Sequence, residues 1–87
     1  MSGAFTTGEL VNMRLISSAR VDAAVDAYML ESKVEPFTLG DGYVLDLDAA
    51  VRSNPFAARV VMSPEASEPL KREAVCRAIL TARPAKM

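Results

Sequence analysis

The sequence predicts an α+β domain, and three observations carry that expectation. Thr6 and Glu9 stand three apart ahead of a long stretch of helically spaced apolar residues. A glycine-bearing turn, Gly40–Asp41–Gly42, separates two short runs with strand-like spacing, and Ser67 opens a second helical stretch that Pro84 closes. The expected order is an N-terminal helix (bent or split), a β-hairpin, a short turn, a third antiparallel strand and a C-terminal helix, with the helices on one face of the sheet. Eighty-seven residues fit a single small domain, 1–87.

Each element has a local reason. Thr6 with Glu9 is a capping box, in which each side chain accepts from the other residue's amide, so a helix starts near Thr7. Leu10, Met13, Val21, Ala24, Val25 and Tyr28 then recur at about 100° per residue. Ser17 and Ser18 interrupt them, so Thr7–Ser32 is either one bent helix or two helices, the second capped by Ser18 and beginning near Ala19. From Val34 the pattern changes: Phe37 and Leu39 flank Thr38, and Tyr43, Leu45 and Leu47 alternate with Val44 and Asp46, which is hairpin spacing. Pro36 lacks an amide proton and keeps the first strand short or at an edge.

Asp48 reads as the cap of a single helical turn through Val51, ended by Asn54 and Pro55. Ala57–Met62, with Val60, Val61 and Met62 in succession, reads as the third strand, stopped by Ser63 and Pro64. Ser67 caps the last helix, and Pro69 falls in its first turn, where a missing amide is tolerated. Leu70, Ala74, Val75, Ala78, Ile79 and Ala82 line its apolar face. Val60 and Ile79 are expected core anchors, and Met13, Met29 and Met62 are expected gap-fillers in that core.

The composition removes most catalytic chemistry. There is no histidine, so histidine-assisted serine or cysteine nucleophiles and a histidine general base are excluded. The lone Cys76 excludes an internal disulfide and a multi-thiolate metal site; beside Arg77 it could be activated, but a half-buried structural thiol is the ordinary role. Asp22 and Asp26 share a helix face, and Asp46 with Asp48 form an Asp-x-Asp pair; a solvated face and a helix cap account for them without a metal. Gly40–Asp41–Gly42 lacks the spacing and the lysine of a phosphate loop. The expectation is no enzyme, no cofactor and no metal.

Charge is divided along the chain. Met1–Asp48 holds eight acids and three bases, net −5, and Ala49–Met87 holds seven bases and three acids, net +4. Such polarity suits steering or self-association, although the halves can also neutralise each other across the fold. Arg59–Met62 followed by Ser63–Pro64 and a basic helix is similar to the first half of a ribbon-helix-helix repressor, but a second helix is missing. Nucleic-acid binding through Arg72 and Arg77 is therefore the alternative, not the favoured reading. Met1–Gly8 has neither the basic nor the apolar region of a signal peptide, and no apolar run approaches the roughly 20 residues of a membrane span, so a cytoplasmic location without membrane contact is expected.

Val44–Leu47 and Ala58–Glu65, reading Val-Leu-Asp-Leu and Ala-Arg-Val-Val-Met-Ser-Pro-Glu, resemble a family of short bacterial proteins of unknown function. The resemblance, over residues 43–75, implies a strand–helix scaffold and no activity; Leu47 stands where the family has an aromatic residue, and Pro69 falls where it continues its helix.

A small non-catalytic protein-binding module is the leading expectation: an adaptor or an inhibitor, of the size of phage-encoded anti-CRISPR and other anti-defence proteins. An open sheet edge would receive the partner by strand addition. Ile16 and Leu30 project away from the main apolar side of the N-terminal helix, which points to a homodimer; a bend at Ser17–Ser18 that hides both within one chain is the competing arrangement. The candidate partner-binding residues are Ile16, Leu30, Arg59, Arg72 and Arg77.

Overall fold

Among the described residues (5–30, 36–40 and 42–86 of a computed structural model) the chain forms five helices and a small antiparallel sheet. Helix α1 (Thr7–Asn12) begins at the capping box: the Glu9 amide donates to Thr6 Oγ1 at 3.2 Å, and the Thr6 amide donates to Glu9 Oε1 at 2.8 Å. The Thr6 amide and hydroxyl hold the Glu9 carboxyl below the usual carboxylate range. After six residues α1 stops, so the N-terminal helical stretch is split. The Arg14 amide donates to the Val11 carbonyl and the Leu15 amide to that of Leu10, the paired bonds of a Schellman ending. Such an ending needs one left-handed residue, and Arg14 supplies it with φ of 62°, where glycine is usual. Arg14→Gly should stabilise the fold by about 1 kcal/mol, raising Tm in a thermal melt by roughly 4–8 °C. A Tm that stays level or falls would refute the strain.

Helix α2 (Ser18–Leu30) follows, with Ser17 rather than Ser18 supporting its first turn: Ser17 Oγ accepts from the Arg20 amide at 3.3 Å. Ser32 and Val34, where the sequence reading ends the helix and begins the hairpin, lie outside the described residues. Strands β1 (Phe37–Gly40) and β2 (Tyr43–Leu45) pair antiparallel, Phe37 opposite Leu45. Gly40 and Gly42 take φ of 118° and 82° at the turn, a region side chains resist; Asp41 lies outside the described residues. Arg20 ties α2 to the hairpin, donating to the Thr38 carbonyl at 3.0 Å and lying over the Phe37 ring.

The next two elements differ from the sequence-based expectation. Asp46, not Asp48, caps the helix after the hairpin: its Oδ1 accepts from the Ala49 amide at 3.1 Å, and α3 (Leu47–Arg52) takes Leu47 out of the strand. The expected third strand over Ala57–Met62 is helix α4 (Pro55–Met62). Asn54 Oδ1 accepts from the Ala57 amide at 3.0 Å, and Pro55 occupies the first turn, where its missing amide has no helical partner to lose. A helix therefore also stands where the family resemblance implies a strand. The strand added to the hairpin is the two-residue β3 (Ala85–Lys86), beyond Pro84, with Ala85 opposite Val44.

Helix α5 (Glu68–Thr81) begins as expected, Ser67 Oγ accepting from the Leu70 amide at 3.3 Å with Pro69 in the first turn. It is the element around which the others pack: α1, α2, α3 and α4 all lie against it, and its Ala74, Val75, Ala78 and Ile79 are buried. Gly8 lets α1 approach closely, since a side chain there would press on the Leu80 carbonyl at 3.3 Å. Thr7 donates its amide to the Ala82 carbonyl at 2.8 Å, joining the first helix to the end of the last. An Arg72–Asp26 ion pair links α5 to α2. Val60 and Ile79 are both buried, in one core drawn from all five helices and the hairpin.

Candidate functional site

Phe56, Arg59 and Met62 recur at three-residue spacing along the outer side of α4, opposite the buried Ala57 and Val60. Leu70, Glu73 and Arg77 make a similar exposed line along α5. A five-residue link, 63–67, joins the two helices, and the Arg77 guanidinium stands over the Phe56 ring, 5.9 Å from its centre. The end of α4 thus returns beside the start of α5, and the two lines form one face. On it Met62 is 83% exposed, Phe56 46% and Leu70 39%. Large apolar side chains grouped on a surface mark contact sites, and aromatic residues, Met and Arg are enriched in interface cores.

The face carries both signs of charge. Arg77 donates to Glu73 at 3.4 Å, a long pair between two exposed side chains one helical turn apart. Arg59 makes no hydrogen bond or ion pair with any described residue. Two guanidinium groups and one carboxylate leave the face slightly positive.

Of the five residues singled out in the sequence, the fold brings Arg59 and Arg77 together here. Arg72 is turned toward α2, where Asp26 engages it. Ile16 is only 3% exposed; the break between α1 and α2 tucks it into the chain's own core, so it is not displayed to a partner. Leu30 is highly exposed at the end of α2. Phe56, Met62 and Leu70 were not among the expected site residues. For Phe56 and Met62 the signal is their spacing with Arg59, which is meaningful only on a helix and disappears when the segment is read as a strand; Leu70, expected on the apolar face of the last helix, is instead exposed in its first turn. Met13 and Met62, expected in the core, are exposed instead.

Three of the four paired carboxylates have structural roles. Asp26 meets Arg72, Asp46 caps α3, and Asp48 pairs with Arg52 at 3.0 Å. Cys76 is half-buried beside a cleft of about 590 Å³ that Glu9 and Asp22 also line. Burial pushes its thiol up, and the Asp22 carboxylate adds to the shift against the opposing pull of Arg72. Native Cys76 should react with a maleimide at neutral pH at least about tenfold more slowly than in the unfolded chain; equal rates would overturn this. Because its folded pKa lies above the unfolded one, the stability it contributes is present below the ordinary thiol pKa and is lost as pH rises through the folded value. A groove of about 820 Å³ between the hairpin, α3 and the end of α5 has a mainly alanine and aliphatic lining, with Asp46 committed to its cap and Arg83 alongside.

Among the described residues no helix is long and apolar enough to cross a membrane. Comparison with protein-family models, curated proteins and solved structures returns no match to the chain.

Proposed function

We propose that the chain is a non-catalytic protein-binding module, a small adaptor or inhibitor, and that the α4–α5 face is its contact surface. The observation that carries the reading is the exposure of Met62 beside Phe56, Arg59 and Leu70 on one side of two packed helices. A helical face suits this role better than the strand addition first expected. The outer strands β1 and β3 have only four and two residues, which give an added strand little ladder to pair with.

The nucleic-acid alternative draws less support. Arg72 is engaged by Asp26, and Arg59–Met62 belongs to a helix, so among the described residues the basic ribbon that reading needs is missing. Affinity capture with the parent, Met62→Glu and Leu30→Glu side by side tests the reading, each variant first matched to the parent by thermal melt. A protein held by the parent and by Leu30→Glu, but lost with Met62→Glu, supports the α4–α5 face. Retention on DNA resin at low salt that Arg72→Ala and Arg77→Ala abolish would overturn it in favour of nucleic acid.

A further inference from the structure

We infer that the partner on this face is a second copy of the chain, related by a two-fold axis; the inference rests on the α4–α5 face being a contact surface. A two-fold interface joins one patch to itself, so that patch must be self-complementary. This one is. Arg59 on α4 has no ionic partner among the described residues, and Glu73 on the neighbouring helix holds Arg77 only at 3.4 Å. Face to face, Arg59 of each copy meets Glu73 of the other, two equivalent charge pairs from one residue of each sign.

To either side of those pairs, Phe56 and Met62, each one turn from Arg59 along α4, supply the apolar contact. Met is unbranched and adapts to the surface it meets, and the Phe56 ring is already held by Arg77. A formal net charge of −1 leaves little repulsion between copies. In the N-terminal helices, the other candidate for self-association, Ile16 is buried within its own chain, so of the two residues that argument rests on only Leu30 is exposed.

Sedimentation equilibrium of the purified chain over a range of micromolar concentrations tests this. The expected result is reversible association to a mass near twice 9.3 kDa. Met62→Glu should weaken it about thirtyfold or more, the weight of a hot-spot side chain. Arg59→Glu and Glu73→Arg should each weaken association, and the double variant Arg59→Glu/Glu73→Arg should recover it, because the exchanged charges again face opposite signs. Thermal melts matched to the parent show that each variant is folded. A monomer at every concentration would overturn the inference, as would a dimer indifferent to these substitutions. A monomer would still leave the α4–α5 face open to the capture experiment, which fails on its own terms.

Discussion

Ile79→Asp should abolish the cooperative thermal transition. Ile79 is completely buried on α5, in a core of apolar side chains to which every helix contributes. At roughly 0.05–0.15 kcal/mol per residue, a chain of this length has on the order of 4–13 kcal/mol of stability. An unpaired carboxylate held in that position costs several kcal/mol, and protonating it instead still leaves a polar group without a partner. Val60→Asp should act in the same direction from α4, the element that covers α5 on one side. Circular dichroism and a melt decide the matter. A midpoint within a degree or two of the parent for Ile79→Asp would mean that the core is wrongly assigned. Ile79→Val is the control, with an expected cost of about 0.5–1.5 kcal/mol.

Leu39→Ala should cost about 2–5 kcal/mol, much for a residue in a four-residue strand. A two-stranded hairpin is marginal by itself in water, so β1 and β2 persist because one side is fastened to the helices. Leu39, Tyr43 and Leu45 make that side, and Leu39 alone among them is wholly buried. Losing it should release the hairpin and, through β2, the short β3 pairing. Chemical denaturation would read the loss, and amide exchange would show the hairpin opening ahead of α5. A cost below about 0.5 kcal/mol, the size expected for a tolerant surface site, would contradict this anchoring.

Much of the architecture is readable where the cause is local. The Thr6–Glu9 box, the Ser67 cap with Pro69 behind it, and the turn glycines each act within a few residues, and each stands where the sequence reading puts it. Ala57–Met62 reads as a strand because a short apolar run with adjacent valines fits a strand or a helix equally in length and polarity. The deciding signal lies upstream: Asn54–Pro55 can end one helix and start the next, and in the structure it starts α4. Strand β3 gave no pattern at all, since two residues are too few to alternate. The candidate face was legible only in fragments. Arg59 and Arg77 stand out by their charge, but their meeting depends on α4 folding back along α5, and Met62 reaches the surface because its segment is a helix.

The Ala82 carbonyl that receives both the amide and the hydroxyl of Thr7, at 2.8 and 3.3 Å, sets an order on folding during synthesis. Six residues cannot sustain a helix alone in water, and the helix that steadies α1 lies at the far end of the described fold. At 5–20 residues per second, the 75 residues separating the two bonded groups take the ribosome roughly 4–15 s to make. Throughout that interval Leu10, which is wholly buried in the finished protein, has no α5 to cover it. A nascent chain stalled before α5 would present its N-terminal segment to chaperones and proteases.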